Sequence, residues 1–267
     1  MRVSVRGADV FVGTGSRAFE AQRSVLVLVH GAGMDHTVWV RVARHFARLG
    51  WSVLAPDLPG HGRSGGPALG SIEEMAAWLA ALLDALGVER SALAGHSMGS
   101  LVVLDFVASH AARSRALALL GTSLPMAVSD GLLAAARDGE HAAIDMANTW
   151  SHSPQGRLGG AADPGSWLMG CGERLLERTP PATYYADLTA CNGYRRYANA
   201  ALLAGLRCPA LVIAGEADQM TPPAAGRAVA GGLAQGRLVS LPGCGHSMLA
   251  ERPNQVLDTL ERFLGAP

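Results

Sequence analysis

The sequence predicts an α/β protein built on a mostly parallel sheet, with helices on both faces and a helical insertion late in the chain. Three observations carry this expectation. Short, uninterrupted runs of β-branched residues and leucine alternate with longer stretches of helical spacing over residues 24–121. Glycine-rich turns follow those runs: "HGAG", "DLPGHGRS" and "GHSMG". The alternation lapses near residue 122 and resumes near 209. Alternating strands and helices imply right-handed crossovers and helices on both faces of a parallel sheet. Runs that are apolar throughout are what strands buried on both faces require.

In order, "MRVSV" and "DVFV" read as a short antiparallel pair around Gly7. "SVLVLV" (24–29) is a central strand, and "VWVRVARHFARLG" (38–50) a helix stopped by Gly50. "SVLAPD" (52–57) is a second buried strand. Over 71–87, Ser71 caps a helix that has Glu74 three positions on and Gly87 at its end. "SALAG" is a strand, "MGSLVVLDFVASH" a helix, and "RALALLG" (115–121) a strand. Between 122 and 200 no strand is convincing. "MAVSDGLLAAARDGEHAAIDMANTWSH" is mostly helical, "SPQGRLGGAADPGSW" a loop, and the stretch from "ERLLERTPP" to "LLAGL" holds two or three short helices. Strands at 209–215 and 236–243, each followed by a helix, end the chain. The expected organisation is a core of residues 1–121 and 201–267 with residues 122–200 as a cap.

The length of 267 residues suits one large α/β domain with an insertion. Hydrophobic residues make up 49% and charged residues 16%, enough apolar matter for a sizeable core. Lys+Arg and Asp+Glu balance at 22 each, which gives no reason to expect nucleic acid or an anionic membrane as partner. There is no lysine, which excludes a Schiff-base lysine, a pyridoxal-phosphate anchor and a Walker-type phosphate loop. Cys171, Cys191, Cys208 and Cys244 form no C-x-x-C pair; a Cys171–Cys191 disulfide is conceivable, but unpaired thiols are the expectation. The N-terminus lacks the apolar segment of a signal peptide. No uncharged apolar run approaches about 18 residues, so a soluble cytoplasmic protein is expected.

In "LAGHSMGSLVVLDF" (93–106) a G-x-S-x-G turn passes from strand to helix in very few residues. That passage strains the backbone of Ser97, exposes its hydroxyl and turns the Met98 amide the same way. Gly95 and Gly99 flank it because side chains there would strike neighbouring backbone. The alternative is an ordinary serine N-cap. A serine hydroxyl needs a base, and His246 in "LPGCGHSMLAERP" follows a strand and precedes the last helix. His110, His141 and His152 are expected at the surface, and His30 and His61 in structural turn bonds. His96 adjoins Ser97, but its side chain should diverge. The base needs a carboxylate. Asp218, just past a strand, is the candidate, with Glu216 and Asp130 as rivals and Asp57 assigned to backbone amides of its own turn. Ala32 in "HGAG" is the candidate second oxyanion donor, beside Met98. His36, Leu124, Met126 and Trp150 are taken to face substrate.

Together "HGAG", "DLPGHGRS", "GHSMG" and the late "GEAD…P" with "GCGHSMLAERP" resemble the α/β-hydrolase family, in its serine esterase and enol-lactonase-like branch, over nearly the whole chain. The resemblance implies an eight-stranded sheet with the cap after the sixth strand, and the order Ser97, Asp218, His246 for nucleophile, acid and base. It departs at Ser100, where many relatives carry glycine. Dehalogenases and epoxide hydrolases of this fold use an aspartate where Ser97 stands. The expected activity is hydrolysis of a small or medium carboxylic ester or lactone, without metal or cofactor. Carbon–carbon bond hydrolases and cofactor-free haloperoxidases share the three residues, and a slow-turnover receptor is the alternative of another class. Trp150, Trp167, Tyr184, Tyr185 and Met126 either line an apolar pocket or hold the cap's own core. Arg195 and Arg196 read as a solvated pair.

Overall fold

The apolar runs pair into one eight-stranded sheet of order β1-β2-β4-β3-β5-β6-β7-β8 in a computed structural model that describes residues 1–162, 165–197 and 200–267. The loop expected over 153–167 and the helices expected over 173–206 cross the intervening positions, where the reading lies outside the described residues. β1 (Arg2–Val5) and β2 (Ala8–Gly13) are antiparallel, and β2 lies antiparallel to β4. From β3 (Val25–Val29) and β4 (Ser52–Pro56) through β5 (Ser91–His96), β6 (Ser114–Leu120), β7 (Ala210–Gly215) and β8 (Gly236–Leu241) every pairing is parallel.

Helices α1 (Val40–Arg48), α2 (Ile72–Ala85) and α3 (Met98–Ser109) connect the first parallel strands. The Ser71 hydroxyl caps α2 by accepting from Glu74 N–H, while the Glu74 carboxylate reaches back to Gly70 N–H at 2.8 Å. Between β6 and β7 come α4 (Asp130–Arg137), α5 (Ala142–Ser151), α6 (Pro154–Arg157), α7 (Leu168–Glu177), α8 (Pro181–Gly193) and α9 (Ala200–Ala204). Helices α4 to α8 form the cap inserted after the sixth strand, while α9 packs on α10, with Leu203 in the core. The single turn α6 interrupts the loop expected there; Ser153 caps it and Pro154 opens it, start signals too brief to mark a helix by periodicity. α10 (Pro223–Gly232), α11 (Met248–Glu251) and α12 (Pro253–Leu264) complete the chain. Among the described residues no helix is long and apolar enough to cross a membrane.

The period-two alternation of strand side chains splits the core in two. Val25, Val27, Val29, Leu93, Leu117 and Leu119 pack beneath α2 and α3, with Met75, Leu79, Leu101 and Phe106. Leu26, Leu28, Ala92, Ala94 and Ile213 pack on the other face with Phe46 of α1 and Val256 and Leu260 of α12. The cap has its own cluster, built on Leu132, Ala136, Ala147, Leu176, Tyr184 and Leu188. All four cysteine thiols are free.

Candidate active site

Ser97 sits between β5 and α3 with φ +53° and ψ −121°, a left-handed conformation that a non-glycine residue adopts only under constraint. The constraint is visible on both sides. A Cβ on Gly95 would lie 2.1 Å from the Gly99 carbonyl oxygen, and one on Gly99 would lie 2.2 Å from that of Val29. The strand, the turn and the neighbouring strand therefore touch backbone to backbone. Ser97 N–H donates to Leu120 O at 2.8 Å, and Ser100 Oγ donates to Ser97 O at 2.5 Å and accepts from the Thr122 hydroxyl at 2.9 Å. The serine at position 100 thus ties the carbonyl of Ser97 to the residue Thr122 just past β6, a bond that the glycine of many relatives could not make. Met98 N–H, at the first position of α3, has no intrahelical acceptor.

His246 lies in the loop after β8, and Asp218 just after β7. Their parent strands are adjacent, and both side chains are buried. His246 Nδ1–H donates to Asp218 Oδ2 at 2.8 Å, which leaves the Nε2 lone pair free to accept a proton. Asp218 Oδ1 accepts from Met220 N–H and Thr221 N–H, both at 2.8 Å, and Thr221 Oγ1 donates to Oδ2 at 2.7 Å. Burial works to raise the Asp218 pKa. The charge and hydrogen bond of His246, with the amide and hydroxyl of Thr221, outweigh it, so the net shift is downward and the carboxylate is held ionised. The rivals are elsewhere: Glu216 is exposed, and Asp130 is an exposed residue of the first turn of α4.

His96 diverges from Ser97 as expected. Its Nε2–H donates to the His246 carbonyl at 2.9 Å, and burial, aided by the His246 charge, drives its pKa to about 3. It is a neutral strut under the His246 backbone. His30 and His61 also make structural bonds. His30 Nδ1–H donates to Gly31 O at 2.9 Å while Nε2 accepts from Leu58 N–H at 3.1 Å. Burial first, then the His61 charge, lowers the His30 pKa to about 4 and fixes that neutral tautomer. Over residues 31–34 the chain makes a tight turn closed by Met34 N–H to Gly31 O at 3.2 Å. The turn leaves the Ala32 amide unused by its own closure.

Ser97, His246 and Ala32 line one cavity of about 210 Å³, with Met126, Val128, Leu132, Trp150, Leu176, Tyr184, Leu188 and Met220 among its other walls. A neighbouring cavity of about 410 Å³ shares Met34, Ser151 and Leu176 with it. Four sequence expectations fail here for local reasons. His36 is not on the cavity wall; its Nδ1–H and its amide both donate to Asp57 Oδ1, at 2.8 and 2.7 Å, and its ring packs on Phe11. Leu124 packs against the core under α3. Trp167 lies 69% exposed, its ring over Gly170. His152 is buried, because its Nδ1–H donates to Asn148 O at 2.8 Å. Trp150 and Tyr184 serve both as cavity wall and as cap core, while Tyr185 packs only against the cap cluster. Arg196 is not a free cation; it pairs at 3.2 Å with buried Asp105.

The sequence reading missed Thr221 and Gly121, although an Asp with amides two and three residues on is a recognisable turn signal. A Cβ on Gly121 would stand 2.9 Å from His246 Cε1. It also missed two buried carboxylates, Asp187 and Glu251. Among the described residues, Asp35, His36 and Asp57 form one cluster within reach of a common metal ion, and His141, Glu173 and Glu177 another. In the first cluster the oxygens already face the amides of His36, Thr37 and Arg63 and the Arg178 guanidinium. The second lies out on the cap, away from the cavity.

Residues 24–253 match the family model of the alpha/beta hydrolase fold. The chain belongs to the α/β-hydrolase family. It is 30% identical over 251 residues to a pimeloyl-[acyl-carrier protein] methyl ester esterase of Aromatoleum aromaticum, covering 90% of this chain and 97% of that one. A 2-hydroxy-6-oxononadienedioate/2-hydroxy-6-oxononatrienedioate hydrolase of Burkholderia vietnamiensis is 38% identical over 114 residues, 41% of this α/β-hydrolase and 37% of that protein. Among solved structures, the enol-lactonase of Burkholderia xenovorans superposes with a TM-score of 0.86 at 25% identity, covering 99% of both chains. A hydrolase from Pseudomonas aeruginosa gives 0.80 at 26% identity, covering 100% and 98%.

Proposed function

We propose that this α/β-hydrolase cleaves a neutral carboxylic ester or lactone through an acyl-enzyme. Ser97 Oγ attacks the carbonyl carbon as His246 Nε2 takes its proton. Asp218 holds the imidazolium that forms, and the amides of Ala32 and Met98 receive the oxyanion. His246 then returns the proton to the leaving alkoxide. Water, deprotonated by the same imidazole, releases the acid and restores Ser97.

One observation carries the reading. A serine in a strained strand-to-helix turn shares a cavity with an imidazole whose far nitrogen is held by a buried carboxylate at 2.8 Å. Ester cleavage is preferred to cleavage of a carbon–carbon bond in a dioate because, among the described residues lining that cavity, none is Arg, Asp or Glu. A second carboxylate of substrate would enter it unpaired, which is costly. The relative matched over nearly its full length is also named as a methyl ester esterase.

The test is a panel of p-nitrophenyl acetate, butyrate and hexanoate with simple lactones. Turnover of about 1 per second or more, lost in Ser97→Ala, supports the reading. A fluorophosphonate should label Ser97 in the native protein. A single slow turnover with a large melting shift on ligand would replace the enzyme reading with that of a receptor.

A further inference from the structure

The turn that carries Ala32 is held from the cap. Gly33 N–H donates to Asp187 Oδ2 at 2.8 Å, and Gly33 O accepts from Thr179 Oγ1 at 2.7 Å. Both partners come from the insertion, Asp187 on α8 and Thr179 just before it, more than a hundred residues along the chain. The turn is also pressed against that surface. Gly33 has φ +66°, and a Cβ there would stand 2.7 Å from the Tyr184 ring and 3.0 Å from a Leu176 methyl.

Asp187 is fully buried and does not stand alone. The oxygen that accepts from Gly33 also accepts from His61 Nε2–H at 2.8 Å, and His61 Nδ1–H donates to Pro59 O at 3.0 Å. Both ring nitrogens of His61 therefore face acceptors, the arrangement a protonated imidazole satisfies, and although burial opposes the charge the bond to Asp187 raises the pKa, favouring an ion pair there. Asp187 thus joins three segments at one atom: the turn after β3, the turn after β4 and the cap helix α8. Burying an ion pair is a poor way to gain stability. Packing alone would be served as well by apolar residues. The carboxylate does what they could not: it fixes the direction of a backbone N–H next to the proposed oxyanion donor.

We propose that Asp187, together with Thr179, is a positioning residue for the proposed hydrolysis: by gripping both polar groups of Gly33 from the cap, the pair aims the preceding Ala32 amide at the developing oxyanion. The proposal rests on the ester-hydrolase reading above. The Ala32–Gly33 peptide plane contains the Gly33 N–H, so rotating that plane to free the bond shifts the Ala32 carbonyl and with it the orientation of the residue whose amide matters. Displacement of a catalytic dipole by about 1 Å costs on the order of 10²-fold in rate. The cap then shapes the chemistry as well as the cavity.

The experiment compares native protein, Thr179→Val, Thr179→Ser, Asp187→Ala and Asp187→Asn on p-nitrophenyl butyrate, with a trifluoromethyl ketone as second ligand. The ketone forms a hemiketal when Ser97 Oγ adds to its carbonyl and the serine proton passes to His246, so its affinity reads the oxyanion site directly. Thr179→Val and Asp187→Ala should lower kcat by about 10- to 100-fold with KM little changed, and weaken the ketone by a similar factor. Thr179→Ser, which keeps the hydroxyl, and Asp187→Asn, which keeps an oxygen for the Gly33 amide, should recover most of the loss. If Asp187→Ala does not fold, the Thr179 pair decides, since it leaves the buried ion pair intact. Native protein that hydrolyses the ester while Thr179→Val and the folded Asp187 variants keep full kcat and ketone affinity would overturn the proposal. Native protein that shows no Ser97-dependent hydrolysis would instead overturn the ester-hydrolase reading itself.

Discussion

Replacing Asp218 with asparagine tests the proposed mechanism most sharply, because the surroundings dictate how the new amide must sit. Oδ1 faces two backbone donors, Met220 N–H and Thr221 N–H, each at 2.8 Å. An asparagine placed with its NH₂ toward them would leave two buried donors opposed to a third, so the carbonyl must take the Oδ1 position. Its NH₂ then replaces Oδ2 and points at His246 Nδ1, 2.8 Å away. Thr221 Oγ1, which donates to Oδ2 at 2.7 Å in the native protein, can rotate its proton away and accept instead. His246 must accept at Nδ1 and therefore carries its proton on Nε2, the nitrogen that should take the proton of Ser97. The packing is isosteric, so the structure survives while the tautomer is wrong. Loss of about 10⁴ in kcat is expected, the size seen for the equivalent change in a serine protease, or about 5.5 kcal/mol of barrier. Steady-state turnover of p-nitrophenyl butyrate, with a melting curve to show an intact fold, measures it. A Asp218→Asn protein that is folded and within tenfold of native kcat would refute both the assignment of the acid and the tautomer argument.

Two further predictions concern the frame of the site. Gly95→Ala places a methyl 2.1 Å from the Gly99 carbonyl oxygen, where no side chain can yield, so the variant should lose more than about 4 kcal/mol in urea unfolding or fail to fold; a loss under about 1 kcal/mol would show that the turn is not as tight as drawn. The second concerns pH. Burial opposes a charge on His61, but the hydrogen bond and charge of Asp187 and the Pro59 carbonyl outweigh it, and its pKa is raised from 6.5. A group raised in the folded state contributes stability in full below its unfolded pKa and loses it as pH rises through the folded value. The facing titratable groups are His30 just after β3, Asp57 just after β4 and Asp187 from α8. Melting temperature should therefore fall as pH rises above about 6.5, and fall less steeply in His61→Asn; equal slopes in the two proteins would remove the ion pair as the cause.

What the sequence made legible lies where local physics and fold agree. Val25–Val29, Ser91–His96 and Ala210–Gly215 are buried at every position, and each reads as an apolar run because nothing else suits a strand covered on both faces. Each such strand ends in a turn whose glycines mark close approach of backbones, and this made positions 32, 97 and 218 visible. His36 was misread because its neighbourhood in sequence says nothing of Asp57, which reaches it across the sheet edge. His152 was misread because a bond to a carbonyl only four residues away was enough to turn it inward. Asp187 and Glu251, on α8 and α11, carry no local signal that singles them out. Only the fold brings them to backbone amides of distant loops, and no period or spacing encodes that.

The two missed carboxylates bear on how the cap and core divide the work. Asp187 ties the cap to the turn after β3 through Gly33. Glu251, fully buried on α11, ties it to the loop of His246: Oε1 accepts from Gly245 N–H at 3.1 Å and from Ser153 N–H of the cap at 3.2 Å. Alongside it, Ser247 N–H donates to Ser151 O at 2.8 Å. Ser247, just after His246, is thus bonded directly to the junction between α5 and α6, and Gly245, just before it, is linked there through Glu251. A buried backbone amide left without its acceptor costs about 1–3 kcal/mol, so these attachments resist loss independently of any role in turnover. The consequence is a division by position along the cap. Met126, Leu132 and Trp150 line the cavity and can change its size without disturbing a backbone bond. Thr179 and Asp187 cannot change freely, because their side chains hold the loop of the proposed oxyanion donor, whereas Ser151 and Ser153 hold the loop of the proposed base through backbone atoms, so there it is the path of the chain that must be kept. A cap exchanged for a differently shaped one would retain activity only where these four attachments are rebuilt.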